Sequence, residues 1–268
     1  MDRDLARQLE RAEGAVGASY TAVPRAAQRG ATWHDFDGTY AIFDTADSPL
    51  TQTFGLGLFA PATPDLMAAI ETFFAQRGAA AMHEVSPLAG VETAALLADR
   101  GYRPIEFSTV LVQDLEPGTA APVSSALRVR TIEPDDHGGC GTWIDTSIAG
   151  WSGELPDSTP LRAIAELAVS NRVMTHFLVE QDAAPIATAS LGIHGGVALL
   201  AGASTVPAAR GRGAQALLLA ARLAEASRRG CELAMMVTAP GTASQRNAER
   251  RGFRVAYTRT KWRLGFAC

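Results

Sequence analysis

The apolar positions of this chain alternate between strand-like and helix-like periods, and the order repeats. In the second half, Leu127-Arg128-Val129-Arg130 alternates apolar with basic residues, the period-two signature of a half-buried strand. Pro134-Asp135-Asp136 opens a helix running toward Trp143. A loop with Gly150-Trp151-Ser152-Gly153 follows. Pro160, suited to a first helical position, begins a second helix that stops near Ser170 and Asn171. Strands are predicted over 175–180, 185–193 and 197–206, joined by turns at Gln181-Asp182-Ala183-Ala184 and His194-Gly195-Gly196. A helix over 213–229 carries Leu217, Leu218, Ala221 and Leu223 near helical spacing and ends at Gly230. A buried strand over 233–238, a helix over 244–251 and a strand over 255–264 complete this half.

Positions 54–115 repeat part of that order in weaker form. Phe54-Gly55-Leu56-Gly57-Leu58 reads as a strand. A helix over 64–76 places Leu66, Ile70, Phe73 and Phe74 on its inner side, where they serve as core or domain-interface residues. A strand over 81–85, a helix over 91–99 and a strand over 105–115 follow. Gly101-Tyr102 echoes Gly252-Phe253 at a similar distance from the preceding strand. Between the halves, 115–125 is rich in Pro, Gly, Ala and Ser and has no periodicity, as a linker would be. The pattern predicts an α/β protein of two related domains, 1–117 and 127–268, with a linker over 118–126.

Composition narrows the function. An apolar content of 47% with 19% charged residues suits a packed globular chain. The net charge of −4 disfavours a broad nucleic-acid surface. Lys261 is the sole lysine, which argues against lysine-based catalysis. Cys140, Cys231 and Cys268 lack metal-ligand spacing, so no metal site is expected and the thiols are expected to be reduced. The opening Met1-Asp2-Arg3-Asp4-Leu5 has no apolar signal region, and no apolar run is long enough for a membrane span. A cytoplasmic location follows as the expectation.

The chemistry concentrates at Val206-Pro207-Ala208-Ala209-Arg210-Gly211-Arg212-Gly213-Ala214-Gln215-Ala216-Leu217. Here a strand end, a glycine-rich turn and the first turn of a helix meet. Unpaired backbone N–H groups and the helix dipole favour a phosphate at such a junction. The first half has Ala60-Pro61-Ala62-Thr63-Pro64 at the corresponding place. Proline lacks the N–H that a phosphate needs, so no equivalent cradle is expected there. Gly211-x-Gly213-x-x-Ala216 also fits a dinucleotide fingerprint. That reading needs an acidic residue after the next strand, whereas Glu232 precedes it, and Pro207-Ala208-Ala209-Arg210 lengthens the turn. An NAD-dependent oxidoreductase is therefore disfavoured.

Three segments together carry a family resemblance. They are Val206-Pro-x-x-Arg-Gly-x-Gly213, the helix Gln215-Ala-Leu-Leu-Leu-Ala-Ala-Arg-Leu223, and Ser244-Gln-Arg-Asn-Ala-Glu-Arg-x-Gly-Phe253. Over about residues 127–264 the chain resembles the GNAT superfamily of acyl-CoA-dependent N-acetyltransferases. The first half is similar to the degenerate amino-terminal domain of tandem members. The resemblance implies two GNAT-like domains with mixed, mostly antiparallel sheets flanked by helices. It implies acetyl-CoA as the acetyl donor. The N–H groups of Gly211, Arg212, Gly213, Ala214, Gln215 and Ala216, beside Arg210, would take its pyrophosphate. Ser204, Thr205 and Val206 would hold the pantetheine arm by strand-like hydrogen bonds. Asn247 would bond the cofactor or cap local backbone. Gln215 departs from the family motif, so its side chain must point away from the cofactor.

The resemblance also implies direct attack of a primary amine on the thioester. The glutamate and tyrosine that many members use correspond to Leu200 and Ala248 here. His194 and Glu180 are the nearest substitutes, although each also reads as an exposed turn residue, and water-mediated deprotonation is an equal alternative. Trp143 and Trp151 line the acceptor pocket or pack the core. The expected partner is a small-molecule amine, with no nucleic acid or membrane and a monomeric or homodimeric state. The alternative is a catalytically poor acyl-CoA-binding or regulatory protein of the same fold.

Overall fold

The computed structural model describes residues 2–118, 126–151 and 158–265. The chain folds into two compact units. One comprises Met1–Gln113 with Met235–Cys268, and the other Asp114–Ala234. The first contains α1 (Arg3–Ser19), α2 (Pro24–Gln28), β1 (Thr32–Phe36), β2 (Thr39–Phe43), β3 (Gln52–Phe54), α3 (Pro64–Ala75), β4 (Met82–Val85), α4 (Val91–Asp99) and β5 (Tyr102–Asp114). The second contains β6 (Arg128–Ile132), α5 (His137–Gly150), α6 (Thr159–Ser170), β7 (Met174–Gln181), β8 (Ala184–His194), β9 (Val197–Thr205) and α7 (Ala214–Arg228). The chain then passes through β10 (Leu233–Thr238) and returns to the first unit as α8 (Ala243–Glu249) and β11 (Arg254–Leu264).

In the first unit, neighbouring strands run β1-β2-β3-β4-β11-β5-β10. β11 is antiparallel to both β4 and β5, with Thr260 opposite Val85 on one side and Phe107 on the other. The last strand thus separates two strands that the amino-terminal repeat alone would have paired. Helix α3 starts on the Thr63 side-chain cap and Pro64, and it buries Met67, Ile70, Phe73 and Phe74. These pack with Leu56, Val85, Leu97 and Tyr102 in one core cluster.

The strand expected over 54–58 ends at Phe54. Gly55 and Gly57 adopt φ of 86° and 74°, left-handed values that break an extended run. Most of the expected linker lies outside the described residues, as do Ser152 and Gly153 of the expected loop.

A buried ionic cluster joins α1 to β11. Arg259 Nη1 lies 3.1 Å from Glu10 Oε1 and 2.7 Å from Glu13 Oε2, and Arg259 Nε lies 2.9 Å from Glu84 Oε2. Tyr257 donates to Glu10 Oε1 at 2.8 Å, and Arg259 Nε donates to Ser108 Oγ at 3.1 Å. Burial opposes the charge on Arg259, but Glu13, Glu10 and Glu84 outweigh it and hold the guanidinium ionised. Glu10 is the strained member. Burial pushes its carboxyl above the ordinary 4.5, against the pull of Arg259, and Oε2 has no hydrogen-bond partner.

A raised folded-state value contributes stability that is full below the unfolded value and is lost as pH rises through the folded one. Glu10→Gln removes that loss and keeps an acceptor for Tyr257 and Arg259. Relative to the parent, the variant should therefore gain stability as pH rises above about 4.5. Urea denaturation at pH 5 and pH 8 should show the difference widening in favour of the variant at the higher pH. A constant difference would show that Glu10 does not titrate between these conditions.

The second unit is an antiparallel run β6-β7-β8-β9, and both α5 and α7 pack on β8 and β9. Trp143 is buried with Cys140, Ala165, Val169 and Leu178. Its Nε1 donates to Phe177 O at 3.1 Å, so it is a core residue rather than a pocket wall. His176 lies edge-on to Trp143, bridges Ser190 Oγ and Ala168 O, and is held neutral by burial, which lowers its value to about 4.

Candidate functional site

The junction between β9 and α7 supplies donors without acceptors. After β9, Pro207–Ala209 forms a 3₁₀ turn, and Gly211 and Gly213 follow with φ of 78° and 88°. A left-handed residue at each end of Arg212 wraps the chain around a concavity that L side chains would strain. Gly213 is the N-cap of α7 and brings no side-chain cap. The first backbone bond of the helix runs from Leu217 N to Gly213 O. The N–H groups of Gly211, Arg212, Gly213, Ala214, Gln215 and Ala216 have no acceptor among the described residues. A Cβ built on Gly211 or Gly213 meets nothing within 4 Å, so the mouth of the helix is open. Convergent, unmet donors at the positive end of a helix dipole fit a diphosphate.

Neighbouring side chains brace this turn. Arg210 Nη2 donates to Gly150 O at 2.9 Å and Nε to Thr205 O at 3.3 Å, tying the last carbonyl of α5 to the end of β9. Arg210 therefore shapes the cradle from behind. Arg212 is exposed and bonds Gln181 Oε1 at 3.2 Å through Nη1. Gln215 Nε2 donates to Thr205 Oγ1 at 2.7 Å, which draws the bulkier motif residue toward the strand. Ser204 Oγ donates to Ser147 O, and a Cβ on Gly150 would lie 2.4 Å from that hydroxyl. Gly150→Ala should therefore displace Ser204 and lower stability by about 1–3 kcal/mol, measurable as a shift of the denaturation midpoint.

The end of β9 has a defined edge. Val206 N donates to Ile186 O at 2.9 Å, and Val206 O accepts from Ala209 N at 2.8 Å. Both backbone groups of Val206 are thus used within the protein. Ser204 is two residues back, opposite Thr188, and faces the same way. Of the three residues expected along the pantetheine arm, Thr205 alone turns its backbone toward the edge away from β8, and there its carbonyl already accepts from Arg210. The register also slips between Thr188 and Ser190, where Gly202 has φ of 59°. This bulge bends β9 before it reaches the turn. Arg222 of α7, 2% exposed, donates to Ser190 O at 3.4 Å beside the slip.

In the first unit, the turn that follows β3 and leads into residues 60–64 is filled. Leu56 and Leu58 are fully buried. A Cβ on Gly57 would lie 2.6 Å from Thr93 Oγ1. The carbonyls of Gly57 and Leu58 face Arg3 and Arg7, so acceptors line this turn where donors line the other.

Of the remaining expected residues in the second unit, His194 lies farthest from the cradle. His194 is exposed at the start of the β8–β9 hairpin, while the cradle follows its far end. At about 3.3 Å per residue, the length of β9 separates them by roughly 25 Å. Glu180 is at the same end of the sheet as the cradle, but its Oε1 is paired with Arg130 Nε at 3.0 Å. Leu200 and Ala248 are buried apolar residues. Asn247 is on α8, in the first unit, and its Oδ1 accepts from Arg250 at 3.0 Å. Trp151 is half-buried at the C-cap of α5. Cys140 and Cys231 are buried free thiols. No helix among the described residues is long and apolar enough to cross a membrane.

Comparison with known proteins agrees with the fold. Residues 134–253 match the acetyltransferase (GNAT) family model. The chain is similar in fold to a GCN5-related N-acetyltransferase from Kribbella flavida, with TM-score 0.65 and 18% identity over 98% of this chain and 96% of that one. It is also similar to a structure described as a putative GNAT-family acetyltransferase from Novosphingobium aromaticivorans, with TM-score 0.55 and 19% identity over 93% and 96% of the two chains. A tandem GNAT protein from the clavulanic acid biosynthesis pathway aligns with TM-score 0.58 and 16% identity over 86% and 79%. No curated protein sequence matches the chain.

Proposed function

We propose that this chain, whose residues 134–253 match the acetyltransferase (GNAT) family model, is an acyltransferase that acetylates a small primary amine with acetyl-CoA as donor. The observation that carries this reading is the set of six amides from Gly211 to Ala216, around an open turn, that meet no acceptor among the described residues. They suit a diphosphate, with Arg212 adding positive charge at the rim. Thr205 supplies a strand edge suited to the amide groups of a pantetheine arm. Acetyl-CoA, when bound, supplies an activated thioester for direct attack by a neutral amine in a ternary complex. Binding both substrates in one orientation supplies much of the rate.

The proton leaves the attacking nitrogen to water in this proposal. His194 is a strand length away, and Glu180 is engaged by Arg130. His194→Ala should therefore leave kcat and the pH–rate profile within about twofold of the parent. Loss of a limb of the profile in the variant would restore His194 as the base. The acidic net charge of −4 favours a cationic amine acceptor.

A thiol-release assay with acetyl-CoA and a panel of small amines tests the function. Amine-dependent release is the expected result. Tight acetyl-CoA binding without release across the panel would instead identify a binding or regulatory protein of this fold.

A further inference from the structure

Helix α1 sets Arg3, Arg7 and Arg11 at four-residue spacing, so one helical face carries three guanidinium groups. Two of them fasten the helix to the turn after β3. Arg3 Nη2 donates to Gly57 O at 2.8 Å, and Arg7 Nε donates to Leu58 O at 2.8 Å. Arg7 Nη1 also meets Asp4 Oδ1 at 3.0 Å. These bonds leave donors over. Among the described residues, Arg7 Nη2, the Arg11 guanidinium and the Gln8 carboxamide have no hydrogen-bond partner. Arg11 has no carboxylate beside it. Instead its guanidinium carbon lies 4.6 Å from the centre of the Phe59 ring, a contact that fixes the plane of the charge.

Arg7, Gln8, Arg11 and Phe59 together line a cleft of about 410 Å³. The cleft is broadly open to solvent, so a ligand there would be held by side-chain contacts rather than enclosed. Its wall offers two cations and a carboxamide, and among the described residues Asp4 is the carboxylate paired with one of them, Arg7. General basicity does not explain the patch, because the whole chain carries a net charge of −4. A preoriented guanidinium with free donors is matched by a planar or tetrahedral oxyanion.

We propose that this cleft is a second ligand site, taking a small organic anion through a carboxylate or phosphate group held by Arg7 and Arg11. Gln8 donates to a neighbouring oxygen, and the Phe59 edge covers the less polar part of the ligand. The recognition differs from that at the α7 turn. Charged side chains hold the anion, because the backbone carbonyls of Gly57 and Leu58 face the arginines themselves.

Calorimetric titration of the full chain with citrate and with inorganic phosphate, at constant ionic strength against sodium chloride, tests the assignment. Saturable binding of either probe is expected. Binding of citrate alone identifies a carboxylate ligand, and binding of phosphate alone a phosphate monoester. Arg11→Gln should raise the dissociation constant about tenfold or more, with Arg11→Lys intermediate. Arg11 is exposed and braces no backbone group, so the variant should keep the parent circular dichroism spectrum and its affinity for acetyl-CoA. Phe59→Leu, which releases the plane of Arg11, should also weaken binding. Absence of saturable heat beyond the chloride control for both probes, or equal affinity in Arg11→Gln, would overturn the site.

Discussion

Replacing Arg259 with methionine is expected to cost about 3–5 kcal/mol of stability, the loss typical of a buried ion pair deprived of one member. The guanidinium is 2% exposed and faces three carboxylates, of Glu10, Glu13 and Glu84. Methionine fills much of the volume but leaves those carboxylates to repel one another. Lys261 remains 3.5 Å from Glu84 and offsets only that member. For a chain of this size the melting temperature should fall by roughly 10 °C. Arg259→Lys should lie between the two, because ammonium restores charge but cannot reach Glu13 with two nitrogens as Arg259 does. Combining Arg259→Met with Glu10→Gln should recover part of the loss. A melting temperature within a degree of the parent for Arg259→Met would show that the cluster contributes little.

Gly213→Val carries the largest expected effect on function. A β-branched residue at φ of 88° is strained, and its side chain enters the space where six amides converge. Loss or misdirection of two amide bonds to a charged phosphate should weaken acetyl-CoA binding by about 2–3 kcal/mol, roughly 30–150-fold. Strain alone does not predict this loss of affinity. Gly230, at the other end of α7, has φ of 74° and also has open space around its Cβ position. Gly230→Val should thus destabilise the protein to a similar degree yet leave acetyl-CoA affinity unchanged. Equal loss of affinity in both variants, measured by calorimetry, would trace the effect to the fold rather than to the cradle.

Periodicity made much of this architecture legible. The strands around 175–206 alternate strongly, and the helix after Gly213 carries a leucine face, so their bounds differ from the structure by about a residue. Helix α1 escaped because its buried face is built from Ala6, Leu9, Ala12, Gly14, Val16 and Ala18, with charged Glu10 among them. Small residues and a buried glutamate give little apolar signal. The position of β11 was equally hidden. Its alternation marks a strand but does not name its neighbours, and those are β4 and β5 from far upstream. Across that pairing Arg259 meets Glu84 of β4 and Ser108 of β5, residues some 150 or more positions upstream.

The site was legible to the extent that backbone geometry is written in residue type. Glycines at 211 and 213 permit the left-handed turn, and the prolines of the first-unit copy remove donors, so the contrast between the two turns was visible. The acid–base chemistry was not. His194 and Glu180 stand out by residue type, but hairpin length places one far from the turn and Arg130 engages the other. The bracing by Arg210 and the anchoring of Gln215 on Thr205 depend on side-chain reach, which spacing along the chain does not encode.

Crystallographic difference density after soaking with acetyl-CoA addresses the central claim most directly. The predicted result is a diphosphate within hydrogen-bond distance of the Gly211–Ala216 amides, with the pantetheine arm running along the edge of β9 at Thr205. Coenzyme density elsewhere, with those amides bonded to protein or solvent, would contradict the account.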